Sequence, residues 1–209
     1  METFVWDRPT RFDAGIRERL DVYAHELLTW SQTYNLIGPS CTREELFHRH
    51  FRDGFLLLEH VAHAKQLADV GSGAGLPGII LALLAEQVDH ICLIESRKKR
   101  VRFLNHCVRL LGLNHVTVFH GVAKEAGLRF GGVFDTVVSR GIGDLAYGGR
   151  EVLPLLSEGG TYLTLKGLNY PGELQTYFQD KIAGFYETPR VVLEEAATGN
   201  RIVALTKKS

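Results

Sequence analysis

From residue 66 onward the chain alternates between short apolar runs and stretches with helical periodicity, and this alternation restricts the fold most. Seven runs are predicted to be strands, at 66–70, 90–95, 116–120, 134–139, 161–166, 187–193 and 201–207. Helices are predicted between and after the first five strands, at about 77–86, 97–111, 122–128, 144–156 and 172–183. Strands joined through helices form right-handed crossovers and a largely parallel sheet. The last two strands are separated only by turn residues, so we expect an antiparallel hairpin at the sheet edge. The predicted fold class is therefore α/β, with a doubly wound, mostly parallel seven-stranded sheet.

Residues 1–65 are predicted to form a helical extension packed as one unit with the α/β domain at 66–209. Apolar residues at steps of three and four predict a first helix over residues 11–34. The break at Gly38-Pro39-Ser40 precedes Thr42 and Glu45, whose spacing is a capping box. The second helix is predicted to run from there to about residue 62.

The composition is that of a globular protein without a membrane span. Lys plus Arg and Asp plus Glu are both 24, and the hydrophobic share is 45%. No apolar run approaches the roughly 18 residues of a membrane-spanning helix, and no signal peptide is visible. Three cysteines without C-x-x-C spacing favour a reducing cytoplasm, and no metal site is predicted.

A glycine-rich segment, Asp69-Val70-Gly71-Ser72-Gly73-Ala74-Gly75-Leu76-Pro77-Gly78, joins the first predicted strand to the next helix. Glycines allow a tight turn and a close approach of the backbone to a ligand. Glu95 ends the second predicted strand, where a carboxylate can accept both hydroxyls of a ribose. The segment therefore predicts a site for a nucleoside cofactor.

Two cofactors fit this pattern. Residues 73–78 spell G-x-G-x-x-G, a weak fingerprint of nicotinamide dinucleotides. Asp69, however, would repel a pyrophosphate, whereas its charge suits the ammonium and sulfonium groups of S-adenosylmethionine. We therefore favour S-adenosylmethionine; NAD and a tight turn that binds no ligand are the alternatives.

The end of the fourth predicted strand, Ser139-Arg140-Gly141, bears on the methyl acceptor. It contains neither an Asn-Pro-Pro-Tyr motif, which grips an exocyclic amine, nor a Pro-Cys motif for covalent attack. The possibility that remains is an acceptor that is already nucleophilic, such as a purine ring nitrogen. Such an acceptor only has to be placed in line with the methyl group and shielded from water. Arg140 and Lys166 are the predicted catalytic residues, and the alternative is that both pair with surface acids.

Nearly the whole chain resembles the small-subunit ribosomal RNA methyltransferase G family, also called glucose-inhibited division protein B. The resemblance rests on Tyr34-Asn35-Leu36-Ile37, Arg49-His50-Phe51-Arg52-Asp53, the glycine-rich segment, Glu95-Ser96, Lys99-Arg100-Val101-Arg102-Phe103-Leu104, Ser139-Arg140 and Lys166-Gly167. It implies a Rossmann-like class I methyltransferase that transfers a methyl group from S-adenosylmethionine to N7 of one guanosine in 16S ribosomal RNA.

The resemblance also implies roles for individual residues. Gly71 and Leu76 would line the cofactor, Glu95 would hold the ribose, Val122 and Ala123 would lie along the adenine, and Arg140 would lie beside the cofactor. The complete predicted cofactor set is Asp69, Gly71, Gly73, Gly75, Leu76, Glu95, Ser96, Val122, Ala123 and Arg140.

The chain departs from the family pattern in two places. Gly121-Val122-Ala123 stands where the family usually has Arg-x-Glu, and Gly54 follows Asp53 where Ser is usual. The first departure weakens the expected adenine-side contact. A divergent relative with another substrate, or a cofactor-binding assembly factor without turnover, is therefore the alternative function.

The net charge is zero, but basic residues are concentrated in the middle of the chain. No acid occurs between Glu95 and Glu125, a stretch that contains seven Lys and Arg residues. A solvated helix face is the usual interpretation of such a run, but contact with RNA phosphates also explains it. The residues predicted to bind RNA are Arg49, His50, Arg97, Lys98, Lys99, Arg100 and Arg201. The expected partner is 16S ribosomal RNA or a small-subunit assembly intermediate, and the protein is expected to be a monomer without contact to membranes.

Overall fold

A computed structural model describes residues 12–38, 40–195 and 198–209. Arg11, where the first helix was expected to begin, Pro39 of the predicted break, and the opening segment assessed for a signal peptide lie outside these ranges. The helices are α1 (Ala14–Tyr34), α2 (Arg43–Glu45), a π-helix (Leu46–Phe51), α3 (Arg52–Leu58), a 3-10 helix (Glu59–Val61), α4 (Gly78–Leu84), α5 (Lys98–Leu110), α6 (Ala123–Phe130), α7 (Leu145–Val152), α8 (Tyr170–Gln179) and a 3-10 helix (Lys181–Phe185). The strands are β1 (Gln66–Val70), β2 (His90–Glu95), β3 (Val116–His120), β4 (Phe134–Arg140), β5 (Leu156–Lys166), β6 (Arg190–Glu194) and β7 (Arg201–Thr206).

The strands form one seven-stranded sheet in the order β3-β2-β1-β4-β5-β7-β6. The first five strands are parallel, and β7 pairs antiparallel with both β5 and β6. The predicted doubly wound sheet and its terminal hairpin are confirmed, with β6 at the edge. The strand order reverses between β1 and β4, and a crevice outside the carboxyl ends of two such strands is the usual ligand site of this architecture.

The boundary between α7 and β5 corrects the sequence prediction. The predicted helix at 144–156 ends at Val152, and β5 already begins at Leu156. Leu155 and Leu156 are fully buried, so their apolar character continued the helical pattern although they lead into a strand. The register of β4 against β5 shifts between Phe134 and Thr136 of β4, because β5 contains an irregular segment at Gly159, where φ is 70°.

The helical extension shares its hydrophobic core with one face of the sheet. Leu20 and Leu27 of α1 belong to the same buried cluster as Ile80 of α4 and Phe103 of α5. A second cluster fills the opposite face beneath α6, α7 and α8. The amphipathic stripe predicted for α1 therefore seats this helix directly against the helices that follow β1 and β2.

The second predicted helix is present but is not a continuous α-helix. Its capping box is confirmed, since the Glu45 amide donates to Thr42 Oγ1 at 3.1 Å and the Thr42 amide donates to Glu45 Oε2 at 2.9 Å. A π-helical segment over Leu46–Phe51 then interrupts the α-helix, and the sequence pattern did not predict it. Such segments contain an extra residue per turn and change the direction of the side chains that follow. This one contains His50 and ends two residues before Asp53.

Candidate cofactor and acceptor site

The glycine-rich segment forms a tight loop between β1 and α4. Gly71 has a φ of 70°, a left-handed conformation that favours glycine. A Cβ atom on Gly71 would lie only 2.8 Å from Cγ2 of Ile142, so the Ile142 side chain in the β4–α7 connection approaches the loop closely. The Gly71 and Ser72 amides donate to the Ile94 carbonyl at 2.9 and 3.1 Å, which anchors the loop to the end of β2.

Asp69 lies on β1 beneath this loop and is fully buried. Its Oδ2 atom accepts a hydrogen bond of 3.0 Å from the Gly78 amide, whereas Oδ1 has no hydrogen-bond partner within the described part of the chain. Burial raises the pKa of this carboxyl from 3.8 to about 7, and the Glu95 charge adds to the shift, although the Gly78 and Ser72 hydrogen bonds and the Arg140 charge oppose it. A carboxylate that lacks a full set of partners is a strong attractor for a cation.

Glu95 ends β2, as predicted, and it is also buried. Its Oε2 accepts from the Gly73 amide at 2.9 Å and its Oε1 accepts from the Arg97 amide at 2.7 Å. Arg100 Nη1 lies 3.7 Å from Oε2. These contacts hold the carboxylate at the loop, and each oxygen keeps a further lone pair that can accept a hydroxyl.

The end of β3 contains the predicted adenine-side residues. Val122 is 46% exposed, whereas Ala123 is buried in the core, so of these two residues Val122 is the one at the surface. A Cβ atom on Gly121 would lie 2.6 Å from both Glu125 Oε2 and Phe119 Cε1. A larger residue at position 121 would therefore require its neighbours to move.

Arg140 ends β4 and meets the helical extension. Its Nη1 donates to Asp53 Oδ2 at 2.7 Å and lies 3.3 Å from His50 Nδ1. Burial raises the pKa of Asp53, against the hydrogen bond and charge of Arg140. Burial also lowers the pKa of His50, and the charges of Arg140 and Arg49 lower it further, which keeps His50 neutral beside the guanidinium.

Lys166 ends β5 but is buried, with only 5% of its side chain exposed. Its Nζ donates to the Gly143 carbonyl at 2.7 Å and lies 2.9 Å from Glu173 Oε2. These contacts join the connection after β4 to the first turn of α8. Lys166 is thus neutralised within the protein and is not a surface cation.

The residues predicted to bind RNA separate into two groups. Arg49, Arg97, Lys98 and Lys99 are exposed, and none of them forms an ion pair with another described residue. The others have partners within the protein: His50 contacts Arg140, Arg100 approaches Glu95, and Arg201 pairs with Glu194 at 2.5 Å.

The structure adds three residues for which no role was predicted from the sequence. Asp53 was quoted only as part of a motif, yet it is the direct partner of Arg140. Ile142 packs against the glycine loop, and Glu173 neutralises Lys166. The contact of Asp53 depends on the π-helical segment that precedes α3, and the contacts of Ile142 and Glu173 depend on loop conformation.

In the three described ranges, no helix is long and apolar enough to cross a membrane. Within the same ranges, no three His, Cys, Asp or Glu side chains form a group that could hold a metal ion.

The sheet order and the glycine loop are those of methyltransferase folds, and solved structures agree. A tRNA (m1A58) methyltransferase from Aquifex aeolicus matches with a TM-score of 0.58 and 17% identity, over 76% of this chain and 69% of that one. A predicted O-methyltransferase from Agrobacterium tumefaciens matches with a TM-score of 0.63 and 19% identity, over 75% of this chain and 81% of that one. At these identities the similarity shows the fold alone.

The sequence defines the family. The model of the rRNA small subunit methyltransferase G family matches residues 16–191, and the chain belongs to that family. The protein named ribosomal RNA small subunit methyltransferase G from Methylorubrum extorquens is 38% identical over 159 residues, which cover 74% of this chain and 73% of the relative. Its namesake from Magnetococcus marinus is 28% identical over 191 residues, 91% of this chain and 86% of the relative. The resemblance seen in the sequence motifs is confirmed.

Proposed function

We propose that this chain transfers the methyl group of S-adenosylmethionine to N7 of a guanosine in 16S ribosomal RNA. The substrate is the RNA itself or a small-subunit assembly intermediate, and the enzyme acts as a monomer in the cytoplasm. Family membership supports methyl transfer to ribosomal RNA and favours the methyl donor over the nicotinamide alternative. The choice of donor and acceptor atoms rests on the residues described above.

The buried carboxyl of Asp69 is the observation that carries the proposal. Its Oδ1 atom has no protein partner among the described residues, and the loop above it is built for close backbone approach. When bound, S-adenosylmethionine would supply a methyl group on a positively charged sulfonium, together with an ammonium group. A carboxylate in a poorly solvated position attracts such charges far more strongly than one in water. Glu95 completes the fit by offering its free lone pairs to the ribose hydroxyls.

The protein needs little chemistry of its own toward a guanine N7. This nitrogen has a lone pair and no hydrogen, so it forms its bond to the methyl carbon as the carbon–sulfur bond breaks, and no proton has to be removed. Burial raises the pKa of Cys92 to about 12 and that of Cys107 further above the usual range, so neither thiol is a nucleophile at neutral pH. Cys41, the third cysteine, lies outside the sheet and has a raised pKa as well. Direct in-line transfer without a covalent enzyme intermediate fits these residues.

Arg140 and Lys166 act at the acceptor side of the crevice in this proposal. Asp53 holds the Arg140 guanidinium at the end of β4, where its remaining N–H groups can orient the RNA acceptor or a cofactor carboxylate. Lys166 fixes the Gly143 carbonyl and so shapes the connection after β4. The exposed Arg49, Arg97, Lys98 and Lys99 would bind RNA phosphates, and binding should weaken as salt rises.

The experiment is incubation of the purified protein with 16S ribosomal RNA and a donor with an isotopically labelled methyl group, followed by mass spectrometry of the nucleosides. We expect the label in 7-methylguanosine. Label in any other nucleoside would contradict the proposed acceptor. Binding of donor and RNA without release of S-adenosylhomocysteine would instead indicate an assembly factor without turnover.

A further inference from the structure

Tyr23 connects the helical extension to the glycine loop. It lies on α1 and is fully buried. Its Oη donates a hydrogen bond of 2.6 Å to the carbonyl of Ala74. Ala74 lies between Gly73 and Gly75, in the middle of the predicted cofactor loop, so a helix outside the α/β domain contacts the backbone of that loop.

The hydrogen bonds of the loop show why this contact matters. The Gly75 and Leu76 amides both donate to the Ser72 carbonyl, at 2.7 and 3.2 Å. The Gly73 amide donates to Glu95 Oε2 at 2.9 Å. Among the described residues, the hydrogen bond that fixes the Ala74 carbonyl comes from Tyr23. The peptide plane between Ala74 and Gly75 is therefore held from one side by the loop itself and from the other by α1.

The position of the Tyr23 hydroxyl is itself fixed. The ring stacks on Phe51 with centroids 5.2 Å apart and an interplanar angle of 9°, and the centroid of the Phe103 ring lies 6.4 Å away. Burial raises the pKa of Tyr23 well above its usual value, so the hydroxyl remains a donor at every physiological pH. A donor with a locked ring can hold a glycine-rich backbone in one conformation before the ligand arrives.

We infer that Tyr23 is a positioning residue that holds the glycine loop in its cofactor-binding conformation through the Ala74 carbonyl. This inference rests on the proposed function, because the ligand is taken to be S-adenosylmethionine. It gives the helical extension a role in cofactor binding that is separate from any contact with RNA.

The test compares two tyrosine variants by calorimetry with S-adenosylhomocysteine. Tyr23→Phe removes the hydroxyl and leaves the ring in place. Tyr186→Phe is the matched control, since Tyr186 is also buried and its Oη also donates to a backbone carbonyl, that of Gly149 at 2.8 Å. Tyr186 belongs to the hydrophobic cluster on the other face of the sheet. Both variants lose one buried hydrogen bond, but only one of these bonds reaches the loop.

We expect Tyr23→Phe to raise the Kd for S-adenosylhomocysteine about tenfold, the effect of losing one well-placed hydrogen bond. Tyr186→Phe should leave the Kd unchanged while lowering Tm to a similar extent. Amide exchange should also accelerate at Gly75 in the first variant alone. A Tyr23→Phe protein that loses stability but binds with the wild-type Kd would overturn the inference and leave the proposed function intact.

Two further outcomes are informative. Should Tyr23→Phe not fold, Phe51→Leu carries the same test, because it keeps the hydroxyl but removes the ring that positions it. We then expect a raised Kd, and an unchanged Kd would overturn the inference. Failure of the wild-type protein itself to bind S-adenosylhomocysteine would overturn the proposed cofactor and with it this role of Tyr23.

Discussion

Replacement of Asp69 by asparagine separates the cofactor role of this residue from its effect on stability. Asparagine has nearly the same shape, and its carbonyl can still accept the hydrogen bond that the Gly78 amide donates to Oδ2. The variant removes only the negative charge and its titration. We expect Asp69→Asn to stabilise the ligand-free protein above neutral pH and to weaken cofactor binding.

The magnitude follows from the pKa of Asp69. Burial raises this pKa from 3.8 to about 7, so between these values the folded state binds more protons than the unfolded state. The stability of the wild-type protein therefore falls as the pH rises from about 4 to 7, and it levels off above 7. Each pKa unit corresponds to about 1.4 kcal/mol, so the ionised carboxylate destabilises the fold by about 4 kcal/mol at most at pH 8.

The charge has the opposite effect on the ligand. An ammonium about 4 Å from a carboxylate gains about 4 kcal/mol at the effective dielectric constant of a protein site. Part of this gain is lost to desolvation, and we expect the Kd for S-adenosylhomocysteine to rise by about 10- to 100-fold in Asp69→Asn. For the wild-type protein, affinity should increase as the pH rises through 7, because the charged carboxylate is the form that binds.

The assays are urea unfolding at pH 5 and pH 8 and calorimetric titration at both values. The stability difference between Asp69→Asn and the wild type should be larger at pH 8 than at pH 5, with the variant the more stable protein. A variant that is less stable at pH 8, or a difference that does not change with pH, would refute the account of Asp69 as an ionisable group held by burial. Unchanged affinity would refute its role in cofactor binding.

Three further predictions concern other parts of the site. Asp53→Asn should lower the rate of methyl transfer at least about tenfold, since the guanidinium of Arg140 loses its charged partner at 2.7 Å. Lys98→Ala should reduce the slope of log Kd for RNA against log salt concentration by about 0.7 to 0.9, because one phosphate contact is lost. Gly54→Ser should destabilise the fold by about 1 to 3 kcal/mol in urea unfolding, because a Cβ atom there would lie 2.5 Å from Ile80 Cγ2.

Matched controls make these outcomes specific. Asp21→Asn removes another ion pair, with Arg43, that lies on the surface and should leave the methyl-transfer rate unchanged. Lys181→Ala removes an exposed cation of the last 3-10 helix and should leave the salt dependence unchanged. Wild-type turnover in Asp53→Asn would make the Asp53–Arg140 contact purely structural. An undiminished salt slope in Lys98→Ala would remove that residue from the RNA surface, and a wild-type midpoint for Gly54→Ser would show that α3 and α4 move apart at little cost.

The sequence predicted those parts of the site that depend on strand ends. Asp69, Glu95 and Arg140 each lie at or near the carboxyl end of a parallel strand, and parallel strands bring their carboxyl ends to one edge of the sheet. The alternation of strands and helices, together with the glycine-rich segment, was therefore enough to predict that these three side chains lie close together.

Contacts made by the helical extension were beyond sequence reasoning. The π-helical segment over Leu46–Phe51 changes the direction of His50 and Asp53, and no local propensity marks such a segment. Tyr23 belongs to the apolar stripe of α1. Such a stripe predicts that the tyrosine ring is buried, but it does not predict a hydrogen bond from the hydroxyl. Both contacts depend on how α1 and α3 pack on the sheet, which is a tertiary property.

Two of the cations predicted for the site form ion pairs within the protein. Lys166 and Arg201 were expected to be available to RNA or to the acceptor, but Glu173 and Glu194 neutralise them. Each of these two acids lies 7 residues along the chain from the base that it pairs with, yet the sequence does not show which acid faces which base. Among the residues predicted to bind RNA, the exposed cations are Arg49, Arg97, Lys98 and Lys99.

The most direct test of the central claim maps the methylated nucleotide. Unmodified 16S ribosomal RNA, alone or in small-subunit particles, is incubated with enzyme and S-adenosylmethionine, and is then treated with borohydride and aniline, which cleave RNA at 7-methylguanosine. We predict one new cleavage position, a guanosine, that appears with the wild-type protein and is strongly reduced with Asp69→Asn. No enzyme-dependent cleavage in either substrate, or cleavage at many guanosines, would contradict the proposal that this site methylates N7 of one guanosine.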